Sequence, residues 1–126
     1  MAKTVKLSDF DKALNRILRR YGDDVTAATE KATQAVARTA RDELRETSPR
    51  RTGAYAKDWA SGKGPATRFS RSAIVYNRSH YQLTHLLEHG HALRQGGRAK
   101  PIPHIAPAEE HAIQNIEKAV KEIVQD

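Results

Sequence analysis

Apolar residues recur every three or four positions from Val25 to Leu44, through Ala28, Ala32, Val36 and Ala40, with polar residues between them. That spacing is one face of an α-helix. It predicts a long helix over Val25–Glu46, opened by Asp23 or Asp24. The face is mostly alanine, so whatever packs on it is expected to come close to the helix backbone. Ahead of it, Phe10, Leu14, Ile17 and Leu18 repeat at the same spacing, with Arg16, Arg19 and Arg20 on the other side. Ser8 as an N-cap with Asp11 three residues on, and Gly22 as the stop, mark this as a separate first helix. A third stripe, Ala112, Ile113, Ile116, Val120, Ile123 and Val124, predicts a C-terminal helix with Pro107 in its first turn and Glu109 and Glu110 at its positive end.

Between the helices the period changes. Ser48-Pro49 stops the long helix, because the residue before proline is driven out of the helical region. Tyr55, Lys57 and Trp59 alternate with Ala54, Ala56 and Asp58, which predicts a half-buried strand, and Gly62-Lys63-Gly64-Pro65 reads as a turn. A second strand, Phe69 to Asn77, places Phe69, Ala73 and Val75 on one face and Ile74 and Tyr76 on the other, as an antiparallel hairpin with the first. A short helical piece with Leu83, Leu86 and Leu87 ends at Gly90, and Gly96-Gly97 is a turn. Three prolines in seven positions (Pro101, Pro103 and Pro107) then make Ala99 to Ile105 an edge strand or strapped loop. The fold class expected is α+β: a small antiparallel sheet against a long N-terminal helix and a C-terminal helix. The organisation expected is one domain over 1–126, with residues 1–22 as a short, mobile N-terminal helix and 23–126 as the main body.

Length and charge narrow the functions open to such a chain. At 126 residues there is room for one modest core but not for a deep enclosed cleft with a lid. With no cysteine there is neither disulfide nor thiolate metal site. Met1 to Phe10 lacks an apolar run, so no secretory signal is expected, and no stretch approaches the ~20 apolar residues of a membrane span. The net charge of +7 is uneven: residues 45–104 hold eleven basic and three acidic side chains, whereas 105–126 hold two and five. A positive midsection suits nucleic acid or an acidic neighbour, including another copy of the chain. The loop Pro49-Arg50-Arg51-Thr52-Gly53 is either a solvated helix exit, its arginines near the negative helix end, or an anion-contacting tip.

The most enzyme-like feature is His85-Leu86-Leu87-Glu88-His89, which spells the inverted zinc-protease pattern H-x-x-E-H. Two histidines at i and i+4 face one way on a helix, and a neighbouring glutamate could activate zinc-bound water. Gly90 ends that helix at once, and a third ligand would have to come from Glu109 or Glu110. A histidine-rich nuclease fares no better, since Glu88 is the only acid between Asp58 and Glu109 and magnesium wants several oxygen ligands. No catalytic residue, metal ligand or cofactor is assigned. Glu88 is expected instead to be a partly buried acid, paired or hydrogen-bonded among Arg78, Arg94, Arg98 and Lys100. Tyr76 and Tyr81 are expected as core or rim aromatics.

The order of these motifs resembles the phage tail-completion or head–tail joining proteins of the HK-ninety-seven gene-product-ten type, from about Ala35 to the C-terminal helix. The carriers are the alanine-rich helix ending in Pro49-Arg50-Arg51-Thr52-Gly53, the Tyr55 to Trp59 segment, Tyr76 and Tyr81 leading into Leu87-Glu88-His89-Gly90-His91, and Pro103-His104-Ile105-Ala106-Pro107-Ala108. Many relatives have phenylalanine where His104 stands, and an apolar residue or asparagine where His89 stands. The resemblance implies a structural virion protein in the neck of a tailed phage or prophage, made in the host cytoplasm. Its partners would be further copies in a hexameric or dodecameric ring, neighbouring neck, connector and tail-terminator or tail-tube proteins, and phage DNA by non-specific contact, with no membrane. Pro49, Thr52, Gly53, Tyr81, Glu88, Gly90, Pro103 and Pro107 would carry the structure. Arg50, Arg51, Arg68, Arg71, Arg94, Arg98 and Lys100 would face neighbouring subunits or DNA; their places at turns and strand ends favour protein contacts. The alternatives are a small basic nucleic-acid-binding module and, last, a histidine-based metalloenzyme.

Overall fold

The computed structural model describes residues 7–50, 52–67 and 70–125, with side chains from residue 12 onward. The expected capping by Ser8 and Asp11, the side chain of Phe10, and Arg51, Arg68 and Phe69 lie outside the described residues.

The first element is one helix, α1, Leu7–Thr47, of 41 residues. Two helices were expected, with a stop at Gly22. A stop of that kind needs glycine in the left-handed region, and Gly22 is not among the glycines with positive φ. Inside a helix a glycine costs only about 1 kcal/mol relative to alanine, which the turns on either side outweigh. The end at Ser48-Pro49 is as expected: the Ser48 N–H closes on the Leu44 carbonyl at 3.0 Å, and its hydroxyl turns back to the same carbonyl.

Gly53 then adopts φ 86°, and Ala54–Lys57 forms a single helical turn, α2. This corrects the strand expected over Tyr55 to Trp59. Tyr55 and Trp59 are four apart, so one helical turn puts both on the buried side and leaves Lys57 exposed. Strand β1 starts at Trp59 and runs to Lys63, so Gly62 and Lys63 belong to it rather than to a turn. Its antiparallel partner is β2, Ala73–Asn77, with Trp59 opposite Asn77 and Lys63 opposite Ala73. The alternation along β2 is as expected: Val75 is half-buried, and Ile74 and Tyr76 are exposed.

Helix α3, Tyr81–His89, follows and ends at Gly90. A two-residue hairpin, β3 (His91–Ala92) with β4 (Arg98–Ala99), turns through Gly96 and Gly97, both at positive φ. The proline segment then straps across α3, with the Ile102 N–H donating to the Leu87 carbonyl at 2.7 Å. The last helix, α4, is Ile105–Gln125. The architecture is therefore α+β, small antiparallel ladders between a long N-terminal and a C-terminal helix.

The core sits where these pieces meet: Leu44, Tyr55, Trp59 and Ala108 are buried together, with Val75, Leu87 and Ile105 packed around them. Helix α4 begins beside Leu44 near the end of α1, so it runs back antiparallel along α1. Ala112, Ile116 and Ile123 are half-buried on it, but Ile113, Val120 and Val124 are exposed, so the apolar stripe is covered on one side only. The apolar face of α1 behaves likewise. From Val25 to Leu44 it is buried or half-buried, whereas Leu14, Ile17, Leu18 and Tyr21 continue the same face uncovered, Ile17 at 66% and Tyr21 at 65% exposure. No described helix is long and apolar enough to cross a membrane.

Candidate functional site

Glu88 lies in the last turn of α3 and is buried. Its Oε1 accepts the backbone N–H groups of His104 and Ile105, both at 2.8 Å, and its Oε2 accepts that of Ala106 at 2.9 Å. These are donors that the start of α4 leaves without partners within the helix. A carboxylate there also faces the positive end of the helix dipole. Burial alone would push the Glu88 carboxyl up, but the three N–H groups and the adjacent His104 ring hold it below the ordinary carboxylate range. Glu88 is thus hydrogen-bonded within the fold, as expected, though to backbone; it has no ion pair with Arg78, Arg94, Arg98 or Lys100.

Gly90 makes this approach possible. It adopts φ 76° and ψ 171°, a conformation essentially limited to glycine. A Cβ there would lie 2.6 Å from the Ala99 carbonyl oxygen. The chain therefore leaves α3 and returns as the proline strap at a spacing that admits no side chain.

His104, the largest fully buried side chain, joins this strap to the core. Its Nδ1 is 2.8 Å from the Ile102 carbonyl, which can only accept, so Nδ1 carries hydrogen. Nε2 then accepts from the Tyr55 hydroxyl at 2.8 Å. Burial, and after it the negative Glu88, push the Tyr55 phenol up to about 12. Trp59 stacks edge-on against both rings and donates its indole N–H to the Ser48 hydroxyl at 2.8 Å. Asn77 donates to the Tyr55 carbonyl and accepts from the His80 N–H, both at 2.9 Å, and His80 Nδ1 meets Asp58 at 2.7 Å. Sequence reasoning passed over Ser48, Asn77, Asp58 and His80 as partners. Only Asn77 carried a signal: it shares the inward parity of Val75 on β2, a polar residue at a core position.

The zinc-protease pattern does not assemble. His85 and His89 stand side by side with ring centroids 4.8 Å apart, both exposed, while both Glu88 oxygens are engaged by the backbone behind them. Among the described residues no three His, Asp or Glu side chains are placed to hold one ion.

The remaining site residues separate into two groups. In the first, Thr52 accepts the Ala54 N–H at 3.3 Å, Gly53 opens α2, half-buried Pro49 follows the end of α1, and exposed Pro107 lies in the first turn of α4. Arg50 donates to the Arg45 carbonyl at the end of α1 (2.8 Å), and Arg71 donates to the Ser70 carbonyl and lies 3.7 Å from Glu30. Both basic side chains are therefore engaged within the chain. In the second group, Arg94, Arg98 and Lys100 cluster on the β3–β4 hairpin, exposed and without an ion pair among the described residues. Tyr81 and Tyr76, expected as core or rim aromatics, are exposed, and so is Pro103.

No curated protein and no solved structure matches the chain. A family model does, described as "Bacteriophage HK97-gp10, putative tail-component", over residues 9–90. The match begins ahead of Ala35, takes in the Pro49–Gly53 element and Glu88, and ends at Gly90, before the Pro103–Ala108 strap. Covering well over half the chain, it makes this protein a member of the HK97-gp10-like family of bacteriophages, a virion-associated tail component.

Proposed function

We propose that the protein is a structural component of the neck, the assembly that joins the DNA-filled head to the tail, and that it works as a ring of identical copies rather than as an enzyme. The observation that carries this reading is the apolar face of α1, which packs the core from Val25 to Leu44 and then runs on uncovered through Tyr21, Leu18, Ile17 and Leu14. An exposed apolar stripe of that length marks a surface made for another protein. Membership of a phage tail-component family supports the same reading. The one acid of the enzyme-like motif is committed to capping a helix, which leaves the midsection for contact rather than reaction.

Neighbouring connector, tail-terminator and tail-tube proteins are the partners this role requires, with DNA as a non-specific contact in the lumen. Light scattering on the purified protein, alone and mixed with connector or tail proteins of the same phage, tests the role. Self-association, or association on mixing, is expected. A strict monomer that joins none of them refutes it.

A further inference from the structure

Two exposed surfaces of the chain carry opposite charge, and among the described residues no ion pair joins them within one copy. The first is the β3–β4 hairpin. His91 and Ala99 are half-buried on its inner face, and Arg98, Lys100 and Arg94 project outward beside exposed Leu93. The second is the outward flank of α4. Helical spacing puts Glu109, Ile113, Glu117, Val120 and Val124 along one strip, with Glu110 at its edge, all of them exposed. Among the described residues the ion pairs are Arg41–Asp42, Lys63–Glu30 and Arg71–Glu30, with histidine pairs at His80–Asp58, His104–Glu88 and His111–Glu43. Among the described residues, none involves a hairpin cation or Glu109, Glu110 or Glu117.

We infer that the β3–β4 hairpin of one copy docks on the α4 flank of the next, with Arg94 and Arg98 facing Glu109 and Glu110, and Leu93 against Ile113. The proposal rests on the self-assembling role above and names one contact that serves it, besides the uncovered α1 face. The occupant is a second copy because one chain carries both halves of the match: three cations without an ion pair among the described residues beside an exposed leucine, and three such acids beside three exposed aliphatics. Different patches meet, so the contact is head-to-tail, and a head-to-tail contact closes into a ring when its rotation divides a full turn. Charge fixes the register and the approach, while the aliphatic residues exclude water from the centre.

A charge-swap cycle tests the contact on the full chain, with circular dichroism as the check that each variant is folded. The wild type is measured by light scattering across a concentration series, alone and with connector proteins, at low and high salt. Arg94→Glu/Arg98→Glu and, separately, Glu109→Lys/Glu110→Lys should each weaken self-association by at least about tenfold, since each turns attraction into repulsion. The four substitutions combined should restore it to within about threefold of wild type, with the same salt dependence. Association of the wild type with no rescue in the combined variant overturns this contact and leaves the assembly role standing. Duplex DNA binding that is lost in Arg94→Glu/Arg98→Glu, with self-association unchanged, overturns it in favour of a DNA-facing hairpin. A wild type that stays monomeric alone and with its connector partners overturns both the contact and the role.

Discussion

Removing the Glu88 carboxylate should loosen the start of α4 while leaving every apolar contact in place. The side chain accepts three backbone N–H groups at 2.8 to 2.9 Å in a buried setting. A hydrogen bond to a charged group contributes about 1.5–3 kcal/mol, but three that share one carboxylate do not add in full. In Glu88→Gln the amide oxygen can still serve His104 and Ile105, while its NH2 group meets the Ala106 N–H donor to donor. The expected loss is about 2 kcal/mol. Glu88→Ala leaves all three donors unpaired, and about 3–4 kcal/mol is expected. Against a total stability of about 5–15 kcal/mol either is large. Urea unfolding followed by circular dichroism measures this as a lower midpoint at unchanged slope. A pH series adds an independent check. The folded carboxyl titrates below its unfolded value of about 4.3. Its contribution is complete above that value and is lost as pH falls through the lower, folded value. The gap between wild type and Glu88→Gln should therefore be widest near neutrality and close on acidification. Equal midpoints at neutral pH, or a gap that persists unchanged into acid, would refute the capping role.

Other substitutions test the packing around this cap. Gly90→Ala should cost more than about 2 kcal/mol, from strain at positive φ plus the 2.6 Å approach to Ala99; Gly53→Ala, at φ 86° with no neighbour within 4 Å, should cost about 1. Thermal unfolding that ranks them the other way contradicts the close return of the strap. Tyr55→Phe should destabilise by about 1–2 kcal/mol, because it strands the buried Nε2 of His104; no change in the urea midpoint would show that bond to be dispensable. Ile116→Asp should unfold or strongly destabilise the domain, while Val124→Asp, at 70% exposure, should leave its melting temperature within a few degrees of wild type. Equal sensitivity at both positions would mean that α4 buries both sides of its stripe.

Helices were legible wherever an apolar face repeated over several turns, as in Val25 to Leu44 and Ala112 to Val124. What misled was punctuation read locally. Gly22 looks like a helix end, yet nothing in the residues after it reverses the chain, so the helix continues through it. Tyr55, Lys57 and Trp59 look like an alternating strand, but only Tyr55 and Trp59 are buried, and a spacing of four fits a helical turn as well. The role of Glu88 was half visible. Its burial among basic residues was expected; its true partners are N–H groups 16 to 18 residues further on, which no local pattern reveals. His104 stood out in the sequence only as a departure from the family's phenylalanine, and it proved to be the hub joining strap, cap and core. Coverage was least legible of all. Periodicity says that a helix has an apolar side, but not how far along that side its neighbours extend.

The uninterrupted 41-residue α1 makes part of the molecule a lever. At 1.5 Å per residue it is a rod about 60 Å long, packed on the rest of the fold from Val25 to Leu44 and uncovered over roughly the 25 Å ahead of that. A tilt of about 10° where that free part leaves the core swings the far tip through about 5 Å, roughly half the width of another helix. Had the rod been jointed at Gly22, the tip could wander without disturbing the base. Unjointed, the orientation of its tip and the seating of its packed part are a single degree of freedom.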